Sequence, residues 1–230
     1  MFQKVLRDLK TIRVARNWQE VIRGFRARQP VPHIQLRKGI NIQAPADANL
    51  LYVFEEVFIK DVYKIYPFRG RIVDIGANVG FFAAYALNDT ATIEAYEPFE
   101  PSAICFRAAF GDFPNVLLHQ KAVAGEFGRR AIRSGSNWLT TTTEKGDEVE
   151  AVTLDSILPC DLLKIDCEGD EYEILFNSNL DCHRIVGEYH DLDEKQCGRS
   201  LCDYLVSKGF RIDLFRSETN GTGMFAAERT

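Results

Sequence analysis

Eight consecutive residues constrain this chain more than any others: Val73-Asp74-Ile75-Gly76-Ala77-Asn78-Val79-Gly80, which run straight into the apolar helical stretch 81–87. A short apolar run that ends in a glycine-rich turn and opens into a helix is a strand–turn–helix unit. Gly76 and Gly80 let the backbone bend sharply and approach a ligand closely. The free N–H groups at the helix start then face that ligand. The spacing is not G-x-G-x-x-G, which serves a pyrophosphate. A carboxylate ahead of the first glycine repels a pyrophosphate and attracts an ammonium group. The unit therefore counts against a nicotinamide-dependent oxidoreductase.

From Gly70 onward, short apolar runs alternate with helical patterns. The runs are 72–75, 92–97, 116–123, 162–167, 185–190, 210–215 and 223–227, and the helical intervals lie near 79–87, 100–110, 170–177 and 194–208. This alternation predicts βαβ units and a mainly parallel sheet in an α/β fold, with ligands at the C-terminal strand ends where the strand order reverses. The last two runs have no helix between them and are expected to pair as an antiparallel hairpin. The polar stretch 125–148 reads as a hairpin plus a loop, a lid candidate whose Trp138 would either stack on a sugar ring or anchor the loop. Upstream, residues 2–28 read as one amphipathic helix stopped by Gln29-Pro30-Val31-Pro32, residues 33–43 as a small hairpin or edge strand, and residues 50–66 as a further helix. The expected division is an N-terminal extension over 1–49 and a ligand-binding domain over 50–230.

Glu97, in Tyr96-Glu97-Pro98, is a second signal. An acidic residue about twenty positions beyond the glycine-rich turn, at the next strand tip, is placed to accept hydrogen bonds from ribose hydroxyls. Further on, Lys164, Asp166 and Glu168 alternate with Leu163, Ile165 and Cys167, so in a strand the charged side chains share one face. Glu188 and His190 repeat the alternation on the next run. If those two strands are neighbours, five polar side chains converge at one side of a pocket, with Asp74 on the other. A structural network is the competing reading, in which Lys164 pairs with Asp166 or Asp74 and His190 caps the segment after it.

Asp74-Ile75-Gly76-Ala77-Asn78-Val79-Gly80 with Glu97-Pro98, together with Thr153-Leu154-Asp155, the stretch Leu162 to Glu171 and Glu188-Tyr189-His190, resembles the FkbM family of S-adenosylmethionine-dependent methyltransferases over about residues 50–228. The resemblance implies a Rossmann-like α/β fold with a seven-stranded, mainly parallel sheet whose last strand is antiparallel. It also implies O-methylation of a hydroxyl on a sugar or polyketide-type molecule. The expected cofactor contacts are Asp74, Gly76, Ala77, Asn78 and Gly80 on the first unit, Glu97 and Pro98 at the second tip, Ala122 beside the adenine with Lys121, and Asp166. An alkyl hydroxyl is a poor nucleophile and calls for a positioned base. His190 is the first choice because a neutral imidazole is available near pH 7, with Asp166 and Glu168 as alternatives. Asp166, Glu168, Glu188 and His190 offer the oxygen and nitrogen donors that a hard divalent metal takes, but nothing in the spacing fixes their convergence, and none is expected. A non-catalytic S-adenosylmethionine-binding protein and an N-methyltransferase are the competing functions.

Composition restricts partners. The net charge of −5 argues against a general nucleic-acid binder. Residues 1–40 nonetheless carry ten Lys or Arg, against Asp8 and Glu20. Their helix is expected to pack on the core or on a second copy of the chain, the alternative being a peripheral contact with an anionic membrane. None of the six cysteines forms a C-x-x-C pair, which fits reduced thiols and a cytoplasmic location. The chain shows no signal peptide and no apolar run of membrane-spanning length.

Overall fold

A computed structural model describes residues 2–45, 48–64, 69–134, 140–142, 146–218 and 221–230. The amphipathic N-terminal stretch forms two helices, α1 (Phe2–Val14) and α2 (Trp18–Ala27), rather than one. The break has a tertiary cause. Ala15 bridges to Leu36, and the Asn17 side chain accepts the Gln35 N–H at 3.0 Å and donates to the His33 carbonyl at 3.1 Å. Those partners belong to the hairpin of β1 (His33–Gln35) and β2 (Asn41–Gln43). The next helix, α3 (Leu51–Phe54), continues as a π-helical turn over Glu55–Lys60 and ends at Asp61, whose φ is +55°.

Gly70 starts the main alternation: β3 (Gly70–Ile75), α4 (Phe81–Ala86), β4 (Ala91–Tyr96), α5 (Glu100–Phe110) and β5 (Val116–His119). There follow β6 (Ala122–Ala124), β7 (Gly128–Ser134), β8 (Thr140–Thr142) and β9 (Asp147–Thr153). The chain finishes with β10 (Cys160–Ile165), α6 (Glu171–Phe176), β11 (Cys182–His190), α7 (Gly198–Ser207), β12 (Phe210–Ser217) and β13 (Thr222–Arg229).

The principal sheet has seven strands in the order β12-β13-β11-β10-β3-β4-β5. Its central strands run parallel, and β13 is antiparallel to both β11 and β12. This is the α/β architecture with an antiparallel last strand that the sequence resemblance implied. One expected strand, 116–123, is two. The Lys121 N–H turns back onto the His119 carbonyl, and β6 leaves to pair with β9 in a second sheet ordered β6-β9-β7-β8. The polar stretch expected to hold one hairpin thus supplies β7 and β8 of that sheet and the start of β9.

Alternate residues along the central strands enter opposite cores, as the pleat requires. Ile72, Leu162 and Val186 join one cluster, and Val73, Leu163 and Ile185 the other. Burial on both faces explains why these strands read as continuous apolar runs. Ala15, Val21, Ile34 and Ile42 share the first cluster with Phe81 and Phe82. The extension expected over 1–49 is therefore continuous with the core in its packing. Lys38 adds a polar staple, donating to the carbonyls of Ala84, Tyr85 and Leu87 at 3.0, 3.1 and 2.8 Å. A cation on those terminal carbonyls completes the C-terminus of α4. Among the described residues no helix is long and apolar enough to cross a membrane.

Candidate active site

Strand order reverses between β3 and β10, since the chain leaves β3 to build β4 on one side and returns to β10 on the other. A cavity of about 530 Å³ opens at the C-terminal ends of these strands. Its floor includes Gly76, Ala77, Asn78, Lys164 and Glu188. α3 and the π-turn cover it with Tyr52, Glu56 and Val57, and the β12–β13 side closes it with Arg216 and Met224. From β4 to β11 is three strand spacings, about 14 Å, so the two ends of the cavity present different chemistry.

The β4 end suits a nucleoside. Glu97 is 5% exposed and lines the cavity. Its carboxylate accepts the Asn78 and Phe99 N–H groups, each at 2.8 Å and one on each oxygen. A carboxylate oxygen has two acceptor sites, so both oxygens retain capacity for the paired hydroxyls of a ribose. Burial raises the Glu97 pKa to about 7 despite the two N–H bonds. Tyr96, Pro98, Ala122 and Val123 add a flat apolar wall. Asn78 adopts φ +50°, a left-handed conformation that asparagine tolerates better than most residues. At Gly76, a Cβ would sit 1.8 Å from the Asp166 carbonyl oxygen, so only glycine lets the β3 turn rest on the end of β10.

Three predicted contacts lie elsewhere. Gly80 is absent from the cavity wall, and a Cβ there would meet the Phe110 ring at 2.4 Å. It lets α4 pack on α5. Asp74 lies beneath the wall, fully buried, opposite Lys164 in the β3–β10 register. Lys164 Nζ is 3.2 Å from Asp74 Oδ1, donates to the Ile75 and Gly76 carbonyls at 3.2 and 2.7 Å, and lies 3.9 Å from Asp166. Burial pushes the Lys164 pKa down, but the Asp74 carboxylate outweighs it and holds the ammonium charged. The cation expected beside Asp74 is thus supplied by the chain itself. Lys121, expected beside the adenine, instead pairs with Glu150 at 2.6 Å outside the cavity.

At the reacting end, Asp166, Glu168 and Glu188 line the cavity, and His190 does not. His190 Nε2 is 3.3 Å from Glu168, and Nδ1 is 3.3 Å from the fully buried Glu171. Burial lowers the imidazole pKa, but these two carboxylates raise it to about 11. An imidazolium takes up no proton, so the base role expected of His190 does not follow from this geometry. His190 instead holds Glu168 in place, and it does not cap the segment after it. Glu171 is itself fixed by the Cys167 and Gly169 N–H groups at 2.7 and 3.0 Å. Burial and the neighbouring Glu168 raise Asp166 to about 6 despite Lys164. Burial and then Asp166 raise Glu188 to about 8. Asp166, Glu168 and His190 bring donor atoms within 4.8 Å of one another. Binding a metal on Glu168 and His190 Nε2 would displace the proton that lies between those two groups.

Tyr63 and Glu56 were not singled out from the sequence, and both line the cavity. The i, i+4 spacing of Tyr52 and Glu56 placed those two on one helical face, a usable signal, whereas Tyr63 follows a π-turn that nothing in the residues announces. Trp138 lies outside the described residues.

A family model described as the methyltransferase FkbM domain matches residues 74–212, more than half of the chain. Among curated proteins nothing matches. Among solved structures, the chain is similar to the precorrin-6y C5,15-methyltransferase of Geobacter metallireducens, at 17% identity and a TM-score of 0.45, over 74% of this chain and 85% of that one. It is similar to the ribosomal protein L11 methylase of Lactobacillus delbrueckii at 14% identity and a TM-score of 0.45, over 75% and 76% of the two chains. The magnesium protoporphyrin IX methyltransferase of Synechocystis, solved with bound S-adenosylmethionine, matches at 9% identity and a TM-score of 0.43, over 70% and 71%.

Proposed function

Because the chain belongs to the FkbM methyltransferase domain family, we propose that it transfers the methyl group of S-adenosylmethionine to a hydroxyl of a sugar-like or polyketide-like small molecule. The observation that carries the reading is Glu97: a buried carboxylate fixed by the Asn78 and Phe99 N–H groups, with its remaining acceptor sites available to the cavity. A ribose diol matches that acceptor pattern, and Pro98 and Ala122 suit an adenine face. Gly76, Ala77 and Asn78 border the same end. Asp166 stands between that end and Glu188, on the strand next to β3.

S-adenosylmethionine supplies an electrophilic methyl on a sulfonium. The chain must align the acceptor oxygen with it, which provides much of the rate, and must remove the hydroxyl proton. Asp166 suits the second task. It lines the cavity, and with a pKa near 6 it is ionised at neutral pH, close to the value a general base needs. Glu168, tethered through His190, orients the acceptor's other hydroxyls.

Calorimetric titration with S-adenosylmethionine and S-adenosylhomocysteine tests the reading. Micromolar binding that Glu97→Ala abolishes supports it. A folded protein that binds neither ligand would refute it, and acceptor screening follows only from the first outcome.

A further inference from the structure

We propose that α1 and α2 form a docking surface for an anionic lipid bilayer. Val5, Leu6 and Leu9 enter the acyl boundary, and Arg13, Arg16 and Arg23 meet the headgroups. The proposal goes beyond methyl transfer and does not rest on it.

The two sides of α1 differ. Its inward side is committed to the fold: Thr11 is fully buried, Lys10 donates to the Ile59 carbonyl, and Arg7 lies over the Phe25 ring at 4.4 Å. The helix is thereby held with its other side turned outward. Leu6 and Leu9, three apart, and Val5, Leu9 and Arg13, four apart, share that outward side. Val5, Leu6 and Leu9 are 52, 44 and 53% exposed. A single exposed apolar residue needs no explanation, whereas a contiguous group marks an interaction surface. Next to this stripe, α1 and α2 leave a groove lined by Ile12, Trp18 and Ile22, with Arg23 and Arg26 along it.

Charge identifies the partner. Lys4, Arg13, Arg16, Arg23 and Arg28 are exposed, and their side chains make no hydrogen bond or ion pair among the described residues. The acids of the same segment are already engaged. Asp8 pairs with Arg26 at 2.7 Å, and Glu20 accepts the Asn17 side chain at 3.0 Å. The whole chain carries a net charge of −5, so the positive field is local to this face. An anionic bilayer answers both halves of the pattern, with acidic headgroups for the cations and acyl chains for the stripe. Arginine stems are long enough to reach headgroups while the helix lies at the boundary. A nucleic acid offers phosphates to the cations and leaves the apolar stripe in water. A second copy of the chain, docked by two-fold symmetry, sets the positive face against itself.

Flotation of the full chain tests this, with vesicles of phosphatidylcholine alone and of equal parts phosphatidylcholine and phosphatidylserine. The protein is expected to float only with phosphatidylserine, and less so as salt is raised. Arg13→Gln/Arg16→Gln/Arg23→Gln should weaken vesicle binding about 100-fold, at about fivefold for each basic residue near an anionic surface. Val5→Ser/Leu9→Ser should weaken it on the order of tenfold, the worth of about two CH₂ groups withdrawn from the acyl boundary. Both variants change only exposed side chains and should keep the wild-type Tm in circular dichroism. Binding to neither vesicle, equal binding to both, or flotation that neither variant weakens overturns the proposal. Self-association that Val5→Ser/Leu9→Ser abolishes, with no vesicle binding by the wild type, also overturns it and assigns the face to a second copy. The wild-type comparison alone can overturn the proposal, so it stays decisive even where a variant is unstable.

Discussion

At the residue scale, three acidic groups have separable roles. Glu97 has a folded pKa of about 7, raised from the ordinary value by burial. Its neutral form favours the apo fold, so its contribution to stability is complete below the ordinary glutamate pKa and is lost as pH rises through 7. Ribose hydroxyls favour the ionised form, so affinity should run the other way. S-adenosylhomocysteine is expected to bind about tenfold more tightly at about pH 8 than at about pH 6, and calorimetry with Glu97→Gln should show this dependence flattened. Asp166→Asn should lower kcat by about 10²- to 10⁴-fold, the usual worth of a general base, with S-adenosylhomocysteine affinity largely retained; an unchanged kcat would remove Asp166 from the reaction. Asp74 tests packing rather than binding. Lys164→Met leaves its carboxylate buried and uncompensated, at a cost of about 3–5 kcal/mol in urea unfolding, and adding Asp74→Asn should restore most of that.

At the element scale, the start of α4 depends on Gly80, which sits at φ +94° with the Phe110 ring 2.4 Å from where a Cβ would stand. Left-handed strain and overpacking add for alanine, giving about 2–5 kcal/mol and a fall in Tm on the order of 10 °C. Circular dichroism melting of Gly80→Ala checks this, and a fall of under a degree would mean that α5 moves aside easily. The elements also show where periodicity succeeds. The patterns at 72–75, 162–167 and 185–190 became β3, β10 and β11 because a strand buried on both faces is apolar throughout. The run 116–123 has the same character yet divides, because the turn at Gln120-Lys121 sends β6 to another sheet. Hydropathy records burial and not the identity of the partner strand. The single helix expected over 2–28 divides for a similar reason: Asn17 finds its hydrogen bonds in β1, sixteen or more residues away.

At the scale of the whole molecule, the N-terminal segment is part of the fold. Several of its basic side chains serve internal ends: Lys10 donates to the Ile59 carbonyl, Arg37 to the Ile12 carbonyl, and Arg7 lies over the Phe25 ring at 4.4 Å. Removing residues 1–43 uncovers Phe54, Phe81 and Phe82, which pack in one cluster with Ile34 and Ile42. The truncated protein is expected to lose its cooperative thermal transition and to aggregate, as judged by calorimetry and light scattering. A truncated protein that melts cooperatively and binds S-adenosylhomocysteine would show instead that the extension is an accessory layer.

The sequence by itself determined the mainly parallel sheet, its antiparallel last pairing and the residues that line the Glu97 end of the cavity. Those depend on local chemistry: glycines where the backbone must turn, apolar runs where strands are buried, and an acid at a strand tip. Only the tertiary structure decided the roles of the charged residues. Asp74 and Lys164 lie ninety residues apart and neutralise each other across a register, which removes Asp74 from the cavity wall. Glu171 and Glu168 converge on His190 and turn an expected base into a fixed cation. The π-turn brings Tyr63 and Glu56 over the acceptor end. A side chain's charge state is set by burial and by its neighbours in space, and neither is written in the spacing of residues along the chain.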